Sequence, residues 1–241
     1  MRFQTCRAKA SIAGLLCVAS TICSAQLTSQ MGGHILDYRG GYALAPFSFQ
    51  MTAPPGPNTW IDYQWGSIDR GVEGKVYTFP SEVRADVQCM WSWPFESHIL
   101  GTSTLSDTIR IVGTTGPVIV DVVVSNRYAI GGYGSQFMAR VQIQGSTIFN
   151  DALTQLNYGI ISLLNNWRGS FILNANEDCG LNVMAHASVG TSYSLPLSHA
   201  GLARTDLRFG LKPRQGTLVS SYGWDYRRTY EALVEAMGRK H

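Results

Sequence analysis

The stretch SDTIRIVGTTGPVIVDVVVS, residues 106–125, decides the fold of this chain. Two runs rich in β-branched residues, 108–112 and 118–124, flank the turn signal Thr-Thr-Gly-Pro at residues 114–117. Because β-branched side chains fit a pleated, packed surface and Gly-Pro cannot continue a strand ladder, the stretch predicts a β-hairpin. The second run is apolar on both faces apart from Asp121, which predicts a strand covered on both sides, in the middle of a sandwich core.

Strand-like segments separated by turn residues continue along the chain. Residues 136–144 and 181–189 alternate apolar and polar side chains, the pattern of a half-buried antiparallel sheet. Residues 150–167 are ambiguous, because leucines near helical spacing compete with Gly159 and a following pair of isoleucines, and we favour strand and loop over helix. Many short strands without alternating helices predict an all-β fold, an antiparallel β-sandwich or jelly roll over residues 58–225.

The first 25 residues have the pattern of a secretory signal peptide. Arg2, Arg7 and Lys9 precede the short apolar run IAGLLCVAS, and Cys-Ser-Ala at residues 23–25 predicts cleavage after Ala25. The apolar run is too short to span a bilayer. We therefore expect a secreted or periplasmic protein with no transmembrane segment in its mature chain.

Charge argues against nucleic acid as a partner. Three of the 19 basic residues and none of the 16 acidic residues lie in residues 1–25, so the remaining chain has 16 of each and a formal net charge of zero. It also contains no run of Lys and Arg. A nucleic-acid-binding protein needs a basic patch that displaces counterions from phosphates, and we predict no such partner.

Two segments depart from the strand pattern. Residues 26–57 are rich in Gly and Pro and are predicted to form a loosely structured arm with one strand near residues 42–50. Residues 226–241 are predicted to contain an amphipathic helix with one apolar face, formed by Tyr226, Tyr230, Leu233, Val234 and Met237. We favour docking of this helix on its own sheet over partner binding or a frayed tail.

Cysteine use after signal removal is sparse. Only Cys89 and Cys179 remain, and two cysteines in an oxidising compartment favour a disulfide over two free thiols. They are too few and too distant in sequence for a zinc site. We therefore predict a Cys89–Cys179 disulfide, no metal site and no cofactor.

Two longer stretches carry a family resemblance. Residues 105–144 contain the Ser-Asp-Thr-Ile-Arg-Ile start and the long valine strand, and residues 185–226 read AHASVGTSYSLPLSHAGLARTDLRFGLKPRQGTLVSSYGWDY. Together they resemble the secreted β-sandwich proteins of the exosortase-sorted (PEP-CTERM) type, common among Gram-negative exports. The resemblance implies secretion and a β-sandwich but no activity. The chain lacks that family's Val-Pro-Glu-Pro motif and apolar sorting anchor, so the resemblance does not imply surface sorting.

The motifs that identify an enzyme are missing from the sequence. It contains no Gly-x-Ser-x-Gly, His-Glu-x-x-His, P-loop or Cys-x-x-Cys pattern, although catalytic groups can converge from distant strands. Glu96 and His98 share a strand face as a candidate acid/base pair, for which a solvated surface pair is the favoured interpretation. Asp121 is expected to be buried against Arg110 or Arg140 rather than to act in catalysis.

The tryptophans are the candidate ligand-binding residues. Trp60, Trp65, Trp91 and Trp93 lie close together in the sequence, and flat rings exposed on a sheet can stack against sugars. The competing interpretation is that they fill the core or cover a sheet edge, which the spacing does not exclude.

These observations predict an exported, non-catalytic β-sandwich protein with a structural or binding role at the cell envelope or outside the cell. Its expected partner is a polysaccharide or an envelope protein. The alternatives are a carbohydrate-binding module that uses the tryptophans, and a polysaccharide-active hydrolase or lyase on a jelly-roll scaffold.

Overall fold

The computed structural model of the chain describes residues 26–37, 41–53, 58–67, 70–91, 95–156, 159–190 and 199–239. Within these ranges the chain forms thirteen strands and one helix: β1 (Gln26–Asp37), β2 (Gly41–Ala53), β3 (Thr59–Ser67), β4 (Arg70–Phe79), β5 (Glu82–Trp91), β6 (Phe95–Val112), β7 (Pro117–Gly131), β8 (Gln136–Ile143), β9 (Ser146–Thr154), β10 (Ile160–Asn174), β11 (Cys179–Gly190), β12 (His199–Pro213), β13 (Thr217–Ser220) and α1 (Tyr226–Gly238). The predicted signal peptide, residues 1–25, lies outside the described residues.

The strands form two antiparallel sheets that pack face to face. The first sheet has the order β2-β1-β6-β11-β8-β9, with β13 also pairing with β6, and the second has the order β10-β7-β12-β5-β4-β3. Alternate side chains of both sheets, such as Val183 from the first and Val120 from the second, meet in a shared core. This confirms the predicted all-β antiparallel sandwich. The favoured strand interpretation of residues 150–167 is also correct, because β9 and β10 cover most of that segment.

The stretch at residues 106–125 joins the two sheets and is not a hairpin. β6 pairs with β1, β11 and β13, whereas β7 pairs with β10 and β12. Gly113 and Gly116 adopt φ values of 78° and 76°, in the left-handed region that favours glycine, and turn the chain from one sheet to the other. The hairpin prediction was wrong because β-branched runs predict strands but do not say which strand each one pairs with.

The core-facing side of the first half of β7 consists of valines. Val118, Val120, Val122 and Val124 are all at most 2% exposed. The outer side is covered only in part: Val123 is fully buried, whereas Ile119 is 39% exposed. The prediction of a strand covered on both faces therefore holds only over part of β7.

The N-terminal arm predicted at residues 26–57 differs from the structure. Residues 26–37 and 41–53 form β1 and β2, and β1 pairs along its length with β6. Leu27, Met31 and Ile35 are buried in the core. We mistook the Gly32-Gly33 pair for loop, whereas Gly33 serves close packing: a Cβ there would lie 2.4 Å from the His98 carbonyl oxygen. Residues 54–57 lie outside the described part of the chain.

The predicted disulfide is not formed. Cys89 and Cys179 are both free and buried, Cys89 in a core cluster with Val87 and Ala203, and Cys179 in a separate cluster with Ile109 and Leu181. The sequence argument failed because the expected redox compartment says nothing about where two side chains lie, and a disulfide needs Cβ atoms about 4 Å apart.

Burial of the Cys89 thiol predicts a loss of stability in alkali. Desolvation raises its pKa from 9.0 to about 11. Between pH 9 and pH 11 the thiol ionises in the unfolded chain but stays protonated in the folded protein. The stability that the buried, protonated thiol contributes is therefore complete below pH 9 and is lost as the pH rises to 11. A pKa difference of two units corresponds to about 3 kcal/mol of the free energy of unfolding. We expect urea unfolding to show that the free energy of unfolding falls less between pH 8 and pH 11 for Cys89→Ala than for the unmodified protein. An equal loss would contradict this assignment.

Helix α1 follows the last strand and docks on the second sheet, as favoured from the sequence. Asp225 caps it, accepting hydrogen bonds from the backbone N–H groups of Arg227 and Arg228. Tyr230 packs over Gly210 of β12, where a Cβ atom would lie 2.2 Å from the Tyr230 nitrogen. No helix in the described part of the chain is long and apolar enough to cross a membrane.

A buried carboxylate anchors the start of α1. Asp107 of β6 is 4% exposed and accepts hydrogen bonds from the Tyr226 hydroxyl at 2.7 Å, from Ser220 Oγ at 2.5 Å and from Ser221 Oγ at 2.6 Å. Its fourth donor is the Thr108 backbone N–H at 2.7 Å. The three donors from residues 220–226 tie the C-terminal segment to β6 in the first sheet.

Candidate functional site

An open groove lies where β2 and β3 meet at one end of the sandwich. β2 is the edge strand of the first sheet and β3 the edge strand of the second. The groove has a volume of about 620 Å³, and its lining residues are Ser48, Phe49, Gln50, Met51, Trp60, Ile61, Asp62 and Tyr63. Edge strands carry backbone N–H and C=O groups that pair with no neighbouring strand. The groove therefore offers a ligand both apolar surface and hydrogen-bonding groups.

The groove is rich in aromatic and sulfur-containing side chains. Trp60 is 61% exposed, and Phe49 and Met51 are each just over 40% exposed. Tyr63 is half-buried beneath Phe49, with ring centroids 5.2 Å apart, and burial raises the pKa of its hydroxyl above the usual value. Large side chains left this open on a folded surface indicate a binding site more often than isolated exposed residues do.

The alternating sequence of β2 explains why aromatic and apolar side chains line the groove. Phe47, Phe49 and Met51 alternate along β2 and face the same way, and the Phe47 ring lies 4.5 Å from that of Tyr63. The Phe47 ring fits because Gly33 on the neighbouring strand has no side chain: a Cβ there would lie 3.0 Å from it. Sequence reasoning missed Phe49 and Met51, whose alternating spacing was the signal that we passed over.

The charged groups near Trp60 are engaged in ion pairs. The Lys75 ammonium lies 3.9 Å from an Asp62 carboxylate oxygen and 3.3 Å from one of Glu73. The hydrogen bond to Glu73 and the charge of Asp62 raise the pKa of Lys75. Asp62 thus places a polar, charged rim beside an aromatic surface, an arrangement suited to a ligand with both hydroxyl groups and apolar faces.

Of the four candidate tryptophans, the structure describes the side chain of Trp60 alone. Trp60 lies on the exposed side of β3, and Ile61 on the opposite side is buried. Trp65 lies in β3 opposite Val72, and Trp91 lies in β5 opposite His199. The side chains of Trp65 and Trp91, and the whole of Trp93, lie outside the described residues.

A second exposed tryptophan was missed by sequence reasoning. Trp224 is 41% exposed and lines a shallow groove of about 450 Å³ with Lys212 and Arg227. The sequence signal was its position immediately before the helix cap Asp225. Its aromatic surroundings are poorer than those of Trp60, which makes it a matched control for the first groove.

Three histidines on the outer face of the first sheet form a cluster that the sequence did not predict. The rings of His34 and His98 lie 5.7 Å apart, and His186 Nδ1 is 2.9 Å from the Thr102 hydroxyl. Burial and the neighbouring His98 lower the pKa of His186. The His34–His98 contact was missed because residues 26–57 were not expected to join the sheet. Among the described residues, no group of three or more His, Cys, Asp or Glu side chains can hold a metal ion.

The partner of Asp121 differs from the expectation. Arg214 contacts both of its carboxylate oxygens, at 2.9–3.2 Å, whereas Arg110 pairs with Asp178. The side chain of Asp121 is one-quarter exposed, so it forms a structural ion pair near the surface rather than a buried one. The side chain of Glu96, the other half of the candidate pair with His98, lies outside the described residues.

Comparison with known proteins assigns no family, since no protein-family model and no curated protein matches the chain. Among solved structures, the chain is similar to the infectious bursal disease virus Gt strain (10% identity, 86% of this chain and 58% of that chain, TM-score 0.25) and to the Gx strain (11%, 83% and 63%, TM-score 0.23). It is also similar to the isomalto-dextranase of Arthrobacter globiformis T6 complexed with panose (12%, 73% and 30%, TM-score 0.16). The chain thus spans less than two thirds of either viral chain, and at these TM-scores the similarities carry no argument about function.

Proposed function

We propose that this chain is an exported, non-catalytic β-sandwich protein that binds a ligand through the groove between β2 and β3, at the cell envelope or outside the cell. One observation carries the proposal: Trp60 is 61% exposed in a groove that also contains Phe49 and Met51. Keeping so much apolar surface in water costs the fold about 25 cal/mol per Å². Binding a ligand there recovers that cost.

The ligand class that this groove fits best is carbohydrate. A sugar ring has an apolar face that stacks on an aromatic ring, and hydroxyl groups around its rim that need polar partners. Trp60 supplies the ring, while Gln50, Ser48 and Asp62 supply hydrogen-bonding groups in the same groove. A polysaccharide of the envelope or of the surroundings is therefore the partner we propose.

The test is binding of the purified protein to a set of soluble polysaccharides, followed by intrinsic tryptophan fluorescence. We expect saturable binding to at least one of them, and at least a tenfold weaker affinity for Trp60→Ala, since truncation of a central aromatic contact in a binding site costs about 2 kcal/mol or more. Trp224→Ala is the matched control and is expected to bind normally. Binding that Trp224→Ala abolishes and Trp60→Ala leaves unchanged would reject the groove as the site.

The same samples distinguish binding from catalysis. A hydrolase or lyase would produce new reducing or unsaturated ends from the polysaccharide that it binds. A glycosidase needs two carboxyl groups at a defined separation, and Asp62 and Glu73 beside the groove share the ammonium group of Lys75. We expect binding without loss of polymer, and turnover that Asp62→Asn abolishes would replace this proposal by the enzyme alternative.

A further inference from the structure

The edge of the second sheet opposite the groove is formed by β10. β10 pairs with β7 over all 15 of its residues, from Ile160 opposite Gly131 to Asn174 opposite Pro117, in one unbroken register. Among the described residues, no strand pairs with its other side. A long, regular edge strand presents a row of backbone N–H and C=O groups to another chain.

The sequence of β10 lacks the features that usually protect an edge strand. It contains no proline, and Arg168 is its single charged residue. Large apolar side chains are exposed along it, with Ile160 at 75%, Ile172 at 65% and Leu163 at 55%. Protected edges are short, bulged or charged, and β10 is none of these. The strand is therefore built to pair.

The order of residues in β10 indicates what it pairs with. The two ends of the segment IISLLNNWRGSFI, residues 160–172, are symmetric about Asn166: an isoleucine lies six residues to either side, a large apolar residue five residues to either side, and a serine four residues to either side, whereas the three inner pairs of positions differ. We propose that β10 pairs antiparallel with β10 of a second copy of this chain, with the two-fold axis at Asn166. In that arrangement the symmetric ends of the two strands pair with each other, and a two-fold dimer needs a self-complementary surface.

In this register, residues of the same kind face each other at both ends of the paired strands. Each exposed Ile160 faces Ile172 of the other copy, and the two side chains lie on the same face of the joined sheet, because directly opposed residues of an antiparallel pair share a face. Each Ser162 similarly faces Ser170. Cross-strand apolar and hydroxyl pairs of this kind stabilise a sheet.

The charge of β10 also agrees with this register. Arg168 faces Leu164 of the second copy, so no cation lies directly opposite another cation. The Arg168 guanidinium itself donates a hydrogen bond to the Val234 carbonyl of α1. The proposed pairing thus meets no like-charge repulsion across the axis.

The dimer leaves the ligand groove open. β10 and β3 lie at opposite edges of the second sheet, so pairing through β10 places one groove at each end of a continuous twelve-stranded sheet. If the groove binds a polymer, two grooves on one dimer raise its apparent affinity through multivalency. The dimer itself stands without the proposed function.

Sedimentation equilibrium of the purified protein tests the dimer. We expect the unmodified protein to have the mass of two copies, and Ile172→Lys to raise the dissociation constant at least tenfold. Ile160→Lys combined with Ile172→Lys is expected to be monomeric, since it places two lysines opposite each other at both ends of the interface. Val219→Lys, which changes a 45% exposed valine on β13, is the matched control and is expected to remain a dimer.

A charge-pair variant tests the register. In Ile160→Lys combined with Ile172→Glu, each new lysine faces a new glutamate of the second copy, and we expect the dimer to return. Far-UV circular dichroism confirms that each variant is folded. A monomeric unmodified protein, or a dimer that Ile172→Lys leaves intact, would overturn the proposal, and a dimer that the charge pair does not restore would overturn the register.

Discussion

Replacing Asp107 by alanine is expected to lower the free energy of unfolding by about 3–5 kcal/mol, the largest effect that we predict for a single side chain. The Asp107 carboxylate is buried and accepts four hydrogen bonds. Its removal leaves the hydroxyl of Tyr226, itself 1% exposed, without its acceptor in the core. A buried polar group without a partner costs about 1–3 kcal/mol, and Ser220 suffers the same loss. Urea unfolding followed by circular dichroism measures the change.

The matched control for Asp107 is Ser221→Ala. This change removes one of the four donors, on an exposed residue, and is expected to cost about 1 kcal/mol. If Asp107→Ala costs no more than Ser221→Ala, the carboxylate does not anchor the C-terminal segment to the first sheet.

Replacing Gly210 by alanine is expected to displace α1 from the second sheet, at a cost of about 3 kcal/mol. The added Cβ would lie 2.2 Å from the Tyr230 nitrogen and 2.3 Å from its Cα, so the helix backbone itself has to move. Tryptic cleavage after Arg227 and Arg228 is expected to become faster as the helix loosens, and thermal unfolding is expected to begin at a lower temperature.

Gly180→Ala provides the comparison for Gly210. Gly180 also lies in a strand, but a Cβ there meets no atom within 4 Å, so the substitution is expected to leave stability and tryptic cleavage nearly unchanged. Equal behaviour of the two alanine variants would show that α1 does not depend on close contact with β12.

Periodicity in the sequence predicted the strands well and their partners poorly. The alternation of residues 181–189 predicted which side chains face the core, because a strand buried on one face needs that pattern. The partner of each strand depends on where the connecting turn leads. The turn signal at residues 114–117 was interpreted as a hairpin turn, although Gly113 and Gly116 carry the chain across to the other sheet.

Buried hydroxyl groups show a second reason why the sequence pattern did not predict every core strand. Ser29, Thr59, Thr78 and Ser103 come from four strands and form a buried chain of hydroxyl contacts at 2.7–2.9 Å that links the two sheets. In the sequence, Ser29 looked like part of a polar, loosely structured segment. Only the fold shows that its hydroxyl finds partners, and a satisfied hydroxyl is compatible with a core strand.

The candidate site was predictable in part. The sequence offered exposure of Trp60 as one of two alternatives, and the exposure of its side chain in the fold agrees with that alternative. The other wall of the groove comes from β2, for which the sequence predicted a strand within a loosely structured arm. Side chains that meet across two sheet edges are distant in sequence, and no local pattern brings Phe49 next to Tyr63. Phe49 and Tyr63 are the aromatic residues that share the groove with Trp60.

The most direct measurement of the central claim is a titration of the ¹⁵N-labelled protein with a soluble polysaccharide that it binds, observing the tryptophan indole N–H resonances. Trp60→Phe and Trp224→Phe assign the two signals. Our account predicts a saturable shift of the Trp60 resonance, while the Trp224 resonance stays in place. A shift of Trp224 with an unchanged Trp60 would contradict the groove between β2 and β3 as the binding site.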